Sequence, residues 1–279
     1  MAAQPILVAQ ISDLHVKPPG ELAYGRVDTA AALKRCVARL NSLAPRPELV
    51  VVSGDLVDGG RPDEYTHLRQ LLAPLEIPLA LIPGNHDARA AMRAAFPEQL
   101  YPDETGALNL ALDLGAIDIL LLDSTVPGEP HGELDADTLV WLDRSLAASA
   151  TRPALVFLHH PPFVTGIRHM DRQNLRNSDA LAKVLRGHSR ARLLAAGHVH
   201  RPTLTMFAGI AATICPAPNQ AVDLDLEDGR PPSFTIEALG FHLHVWFPGE
   251  PYGDVVTHFV ALDAGEGPHP FSGDSGEQA

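Results

Sequence analysis

Short runs of apolar residues alternate with polar segments of helical periodicity along most of the chain. Ile6 to Ile11, Leu49 to Ser53, Leu79 to Pro83, Ile117 to Asp123, Ala154 to Leu158 and Arg192 to Ala196 are such runs, and each ends in a polar or glycine-containing knot. They predict buried strands. Between them, Leu33, Cys36, Val37, Leu40 and Ala44 recur at three- and four-residue spacing, which predicts a helix over Thr29 to Leu43 capped by Asp28. Further helices are predicted from Pro62 through Leu75, over Ala88 to Phe96, from Asp135 through Ala148 with Leu139, Leu142 and Leu146 inward, and over Ser178 to Gly187. This alternation predicts an α/β architecture with strands sandwiched between helical layers.

The pattern changes at Thr203. Leu204 to Phe207, Ile210 to Cys215, Ser233 to Phe247 and Tyr252 to Leu262 predict strands without intervening helices, separated by turns at Pro216 to Asn219 and Gly229 to Pro232. A second, antiparallel sheet is expected from them. Residues 1–202 are thus expected to form a core, 203–263 a segment that completes a sheet and forms a small cap or interface, and 264–279 a disordered tail rich in Gly, Pro and Ser.

Composition narrows the function. The 279 residues carry 21 Lys plus Arg against 34 Asp plus Glu, a formal net charge of −13, with 46% hydrophobic residues and a mean hydropathy of +0.02. Such a chain can bury a large core, and it has no general attraction for nucleic acid polymers or anionic membranes. An anionic substrate would need local positive charge from elsewhere, and metal ions supply it. Two cysteines, Cys36 and Cys215, are too few for a disulfide framework and predict buried thiols in a reducing compartment. With no export signal at Met1 to Val16 and no long apolar run, a cytoplasmic protein without a membrane span is expected. Fourteen histidines against 4 tyrosines and 2 tryptophans make the placement of imidazoles the informative feature.

The knots at the predicted strand ends share one chemistry. They read Asp13-Leu14-His15, Gly54-Asp55-Leu56-Val57-Asp58, Gly84-Asn85-His86-Asp87, His159-His160-Pro161-Pro162 and Gly197-His198-Val199-His200. Loops at the carboxyl ends of strands in an α/β sheet converge on one crevice, so these five are expected to meet. Their imidazole, carboxylate and amide oxygen groups suit borderline divalent metals, and the lack of thiolate excludes a Cys-type zinc site. In Asp13-x-His15 and His198-x-His200, an extended backbone would project both side chains to one side. Glycines at Gly54, Gly84 and Gly197 would let the backbone turn sharply and approach the ligands.

In this order the motifs resemble the calcineurin-like metallophosphoesterase superfamily over Ile6 to Pro202. Within it, Arg26-Val27-Asp28-Thr29, His159-His160-Pro161-Pro162 and the stretch Gly166 to Asn177 resemble bacterial class III cyclic-nucleotide phosphodiesterases and the related glycerophosphodiesterases. The resemblance implies a four-layer α/β/β/α sandwich with a small C-terminal antiparallel cap that pairs across subunits, hence a homo-oligomer. It implies two divalent ions (iron, manganese, zinc or cobalt), one bound by Asp13, His15, Asp55 and His200, the other by Asp55, Asn85, His159 and His198. His86 would face the phosphate unligated, and Asp58 would orient it. Gly59 stands where relatives acting on phosphoproteins carry Arg, which argues against a protein phosphatase.

Two metals can clamp a phosphoryl group and activate a bridging water, and an unligated His86 can hold a phosphate oxygen or protonate the leaving alkoxide. Hydrolysis of a small phosphodiester is the expected activity. A nucleotide or sugar-phosphate monoesterase and a non-catalytic scaffold of the same fold are the alternatives; a nucleic-acid exonuclease lacks the basic or aromatic groove it would need. His242 and His244 are expected in a strand core, His160 beside its neighbour's site, and His67, His188 and His258 at solvated or core positions. Arg168, Asn174 and Arg176 are expected in a polar loop after His160, and whether that loop forms a substrate lid or is solvated surface is left open by the sequence.

Overall fold

The computed structural model describes residues 4–102, 106–227, 229–237, 239–263, 265–267 and 269–271. Its first half runs β1 (Ile6–Ile11), α1 (Thr29–Asn41), β2 (Leu49–Ser53), α2 (Pro62–Leu72), β3 (Leu79–Ile82), α3 (Arg89–Ala95), β4 (Leu110–Asp113) and β5 (Asp118–Leu122). The remainder runs α4 (Ala136–Ala147), β6 (Ala154–Leu158), α5 (Arg168–Asp171), α6 (Ser178–Arg186), β7 (Ala191–Ala196), β8 (Thr203–Phe207), β9 (Ile210–Ile214), β10 (Ala221–Val222), β11 (Phe234–Thr235), β12 (Gly240–Phe247) and β13 (Asp254–Ala261). The predicted helices and N-terminal strands stand within a few residues of their expected bounds. Asp28 caps α1 by accepting from the Ala31 amide, and Asp135 caps α4 by accepting from Thr138.

Two large sheets carry the fold, in the orders β13-β12-β1-β2-β3 and β4-β5-β6-β7-β9-β8. Side-chain alternation along the second sheet explains the layering. Ile119, Leu121, Leu155, Phe157, Leu193 and Ala195 join the core shared with the first sheet and with α1, α2 and α3. Their neighbours Leu120, Leu122, Val156, Leu158, Leu194 and Ala196 form a second core with Leu142 and Leu146 of α4 and Leu181 and Leu185 of α6. Strands buried on both faces read as continuous apolar runs, which is why they were visible in the sequence.

The C-terminal strands do not form a sheet of their own, contrary to expectation. β12 pairs antiparallel with β1, and β13 with β12, so both extend the first sheet. β9 lies parallel to β7 and β8 antiparallel to β9, extending the second. Only β10 and β11 stand apart, as a two-stranded ribbon. The physical reason is that β1 and β7 each have a free edge, whose unpaired backbone groups are satisfied by the first compatible strand to arrive. The predicted strand Ser233 to Phe247 is divided between β11 and β12, and β4, a short edge strand, was not predicted. The expected tail, 264–279, lies largely outside the described residues.

Phe157 is fully buried between the sheets. Phe157→Ala is expected to lower the unfolding free energy by about 3–5 kcal/mol, read from the denaturation midpoint at constant slope.

Candidate dinuclear metal centre

The five knots meet at the carboxyl ends of β1, β2 and β3 in one sheet and β6 and β7 in the other. Backbone bonds zip them together: Asp13 N–H donates to the Gly54 carbonyl at 3.0 Å, His15 N–H to Asp55 at 3.0 Å, and Gly197 N–H to His159 at 2.9 Å. The Asn219 amide adds donations to the carbonyls of Asp13 and Leu14 at 3.0 and 2.9 Å. These ties hold a costly backbone. Asp13, His15, Asp55, His198 and His200 all have positive φ, between 44° and 73°. Left-handed backbone is uncommon outside glycine; Asp and His tolerate it better than most, but five such residues in one cluster persist only where the surroundings impose it. The expected extended geometry of the two x-spaced pairs is therefore corrected: both residues of each pair stand in the left-handed region, and the loop rather than the strand pleat turns them inward.

Glycine is required where the knots approach most closely. A Cβ on Gly84 would fall on the Asp55 carboxylate and amide, and one on Gly54 would fall on the His159 ring.

The donor atoms form two sets that share Asp55. In the first, His15 Nε2 lies 3.4 Å from Asp55 Oδ2 and 3.2 Å from His200 Nε2, which is itself 3.4 Å from Asp13 Oδ1. In the second, His159 Nε2 lies 3.4 Å from Asp55 Oδ1, 3.2 Å from Asn85 Oδ1 and 3.3 Å from His198 Nδ1. Ligands at 2.0–2.1 Å on a tetrahedral ion are spaced about 3.3–3.4 Å apart. Orientation agrees: His159 Nδ1 donates to the Ser53 carbonyl at 2.9 Å and His200 Nδ1 to the Gln220 carbonyl at 3.3 Å, leaving each Nε2 for the centre. His198 presents Nδ1 to the set, with its buried Nε2 unpartnered among the described residues. The residues present fit a pair of divalent cations.

The electrostatics of the donors is divided: two imidazoles are held neutral, and His159 is held protonated until a cation would displace its proton. Burial pushes the Asp55 carboxyl up, but His159, His86 and His15 outweigh it and hold it well below its usual range. Burial lowers His200 to about 4 and His198 well below 6.5, so both imidazoles are neutral and keep the free lone pair that a metal needs. Burial also opposes charge on His159, yet Asp55 and Asp13 raise it to about 9. Asp13 is raised by burial to about 6. The cluster thus holds carboxylates whose charge the surrounding imidazoles only partly balance.

His86 stands beside this cluster. Its amide donates to Asp55 Oδ1 at 2.9 Å, and its Nδ1 donates to the main-chain carbonyl of Asp58 at 2.7 Å. The Asp58 carboxylate is engaged elsewhere: it lies 3.4 Å from His15 Nδ1 and accepts from Lys17 Nζ at 2.7 Å. The expectation that the Asp58 side chain orients His86 is corrected. That side chain supports His15, and the backbone of Asp58 holds His86.

The structure adds residues that sequence reading missed. Asp87, the last residue of the third motif, accepts from the amides of Leu56 and Gly84 at 3.0 and 2.8 Å and from the Tyr65 hydroxyl at 2.9 Å. It locks two knots together, and it is not a helix cap. Its place in the motif was the available signal. Asn219, Gln220, Lys17 and Ser53 carried none.

His160 packs edge-on against His159, with ring centroids 4.8 Å apart, and contacts Ser124 Oγ through Nδ1 at 2.8 Å. One ring nitrogen from each of His159, His160 and His198 falls within a 4.8 Å cluster. His244 is buried away from the cleft, between Gln10 Oε1 and Thr257 Oγ1 at 3.1 and 2.8 Å; His242 is buried on the same strand. His67 contacts the Lys17 carbonyl, His188 pairs with Asp143, and His258 is exposed on β13. A cleft of about 360 Å³ opens over the donors, and from the expected polar loop its lining takes His169, Met170 and Gln173 rather than Arg168, Asn174 or Arg176. Asn174 instead bonds the Phe163 carbonyl and Asp171. The short helix α5 carries His169 and Met170, and Gln173 follows it, so these line the cleft instead.

Two sheets converging on nitrogen and oxygen donors that share one carboxylate define a dinuclear phosphoesterase architecture. The family model described as calcineurin-like phosphoesterase matches residues 6–202, and the chain belongs to that family. It is 36% identical over 98% of its length to 99% of a protein from Arcobacter nitrofigilis named "Probable glycerophosphodiester phosphodiesterase GpdQ". It is 34% identical, over 80% of its length and 70% of the relative's, to a cAMP/cGMP dual specificity phosphodiesterase from Mycobacterium tuberculosis. Among solved structures, a dimetal phosphatase from Danio rerio aligns with a TM-score of 0.63 at 16% identity, covering 90% of this chain and 98% of that one. That likeness carries the fold. No helix among the described residues is long and apolar enough to cross a membrane.

Asp58→Asn removes the charge beside His15 while keeping the carbonyl that holds His86. It is expected to weaken divalent-ion affinity about tenfold, the usual scale for losing a ligand's support, in a calorimetric titration with manganese.

Proposed function

We propose that this chain hydrolyses small phosphodiesters at a dinuclear centre, with Asp13, His15, Asp55 and His200 holding one divalent ion and Asp55, Asn85, His159 and His198 the other. The observation that carries the reading is the division of Asp55, one oxygen in each donor set. A donor set of imidazoles, carboxylates and one amide without thiolate suits manganese, iron, cobalt or zinc. When bound, two such ions supply the positive charge that attracts a phosphate to a chain of net charge −13 and activate water for in-line attack.

The chain's own residues do the rest. Asp13 and the carboxylate of Asp55 set the charge of the centre, and Asp58 with Lys17 keeps His15 in place. His86 lines the cleft with Nδ1 engaged, so Nε2 is the atom that meets substrate. Burial opposes charge on His86, but Asp55 and Asp58 outweigh it and raise its pKa, which favours the protonated ring. That ring can give a proton to the leaving oxygen of the diester. Both of its jobs, donating a proton and holding a phosphoryl oxygen, need the same orientation.

A reducing, cytoplasmic setting is part of the proposal, supported by the two buried free thiols Cys36 and Cys215. So is a homo-oligomer, supported by exposed Leu204 and Met206 on β8 and Val256 and Phe259 on β13, two of the four edge strands of the large sheets.

The deciding experiment is a hydrolysis panel on metal-loaded protein with cyclic nucleotides, glycerophosphodiesters and phosphomonoesters. Diester turnover that disappears on chelation and returns with divalent ions is expected; turnover of monoesters alone would overturn the reading. Asp55→Ala is expected to lose both metals and all activity, because the shared carboxylate belongs to both donor sets. Metal analysis of the purified variant checks this. His86→Ala is expected to slow a natural diester about 100- to 10,000-fold and an activated aryl diester far less, with metal content intact. Equal losses on the two substrates would assign His86 to phosphate stabilisation instead.

A further inference from the structure

Beyond the donor residues, the cleft changes character. Tyr24, Met170, Val222, Pro232 and Phe234 line it; among the described lining residues there is no Lys or Arg, and Asp55 carries the only carboxylate. A second phosphate on the substrate would find no cation apart from the metals, and an ammonium group would find no free carboxylate. The outer part of the cleft is suited to an arm that is neutral and presents an apolar face.

Two rings dominate that part. Tyr24 and Phe234 lie with centroids 5.0 Å apart and planes inclined by 32°, a tilted pair in contact. Tyr24 is 59% exposed although it is an aromatic residue over the cleft. Its φ is +51°, and mutual backbone bonds between Ala23 and Val27, both 2.9 Å, close the turn that keeps it there. A bulky residue held in left-handed backbone is a conformational outlier of the kind that collects at binding sites.

Phe234 is tied to the donor cluster through the ribbon. It pairs with Val222 of β10, and two residues before Val222 the Gln220 carbonyl accepts from His200 Nδ1. Cross-strand neighbours stand about 5 Å apart and two strand residues span about 6.6 Å. Along this path the Phe234 backbone is about 12 Å from Gln220, and the ring pair lines the same cleft as His200, within reach of the base of a nucleotide whose phosphate sits over the donors.

We propose that Tyr24 and Phe234 form a stacking platform that makes the cleft favour phosphodiesters with a flat, uncharged ring on one arm, as in a nucleotide, over those with a glycerol arm. The proposal rests on the phosphodiesterase reading above and adds the residues that choose among diesters. The two rings sit side by side on the cleft wall, tilted against each other, and offer aromatic surface to a flat group. A quaternary ammonium group is held instead by several aromatic faces converging on a point. Gln173, Ser233 and His169 also line the cleft and offer hydrogen-bonding groups to the edge of a stacked heterocycle.

The test uses the metal-loaded full chain and two readouts. One is calorimetric binding of a hydrolysis-resistant phosphorothioate of 3′,5′-cyclic AMP. The other is the ratio of kcat/KM for 3′,5′-cyclic AMP to that for glycerophosphoethanolamine. Phe234→Ala is expected to weaken binding and lower the ratio about tenfold, through KM rather than kcat, as for the loss of one base–aromatic stack. Phe234→Tyr is expected to restore both. Tyr24→Gly is expected to weaken binding while raising the thermal midpoint, since glycine takes left-handed backbone without strain. Unchanged phosphorothioate binding in both Phe234→Ala and Tyr24→Gly would overturn the platform and leave the phosphodiesterase reading intact. A wild-type preference for glycerophosphocholine or glycerophosphoethanolamine would do the same. Ring-dependent phosphorothioate binding without turnover of any diester would support the platform and overturn the phosphodiesterase reading.

Discussion

Asp55 lies at the end of β2 in one sheet, and His159, at the end of β6, belongs to the other; their 3.4 Å contact joins the two halves of the sandwich at the centre of the site. The carboxylate is almost fully buried, so its charge survives only because imidazoles approach from both sides, His15 on one oxygen and His159 on the other. Removing one partner from a buried ionic group leaves an uncompensated charge, which is far costlier than the pair itself. The packing of sheet on sheet and the chemistry of the centre are therefore one constraint. The sheets must close far enough to bring His159 and His198 onto the oxygens presented by the first sheet, and the small residues Gly54 and Gly84 make that approach sterically possible.

Backbone strain follows from the same constraint. A strand end delivers one side chain to a crevice with little distortion, but Asp13 with His15 and His198 with His200 each deliver two. The chain meets this by turning left-handed at all four residues and at Asp55. The strain is held by inter-loop hydrogen bonds and by the part-buried side chain of Asp87, whose pKa is pushed up by desolvation and by the nearby Asp55 to about 7. Ordered supports of this kind keep donors in position before any ion arrives, and preorganisation of the donors is what a catalytic centre requires.

The acidic chain and its expected anionic substrate are reconciled at the same place. A net charge of −13 repels phosphate at long range, whereas neutral imidazoles such as His198 and His200 would add ligands without adding negative charge. Cations held by such a set would keep a residual positive field. Outside the donors the cleft becomes largely apolar, so charge recognition and shape recognition are separated along its length.

The strands of the central sheets, the helices and the five motif knots were legible in the sequence because their signals are local. A strand buried on both faces is a continuous apolar run, an amphipathic helix repeats at three and four residues, and a metal-binding knot concentrates His, Asp and Asn beside glycine. The roles of Asp58 and of the substrate loop were not legible. Both depend on where a side chain points, and the left-handed knot at Asp55 and the short helix α5 decide that. The destination of β8, β9, β12 and β13 was likewise hidden, since a strand's own residues give its alternation but not its partner, and partnership is decided by which sheet edge stands free when the layers pack. The ribbon that carries Phe234 toward Tyr24 exists only in three dimensions, because its two strands are two residues each and their contact joins positions 24 and 234.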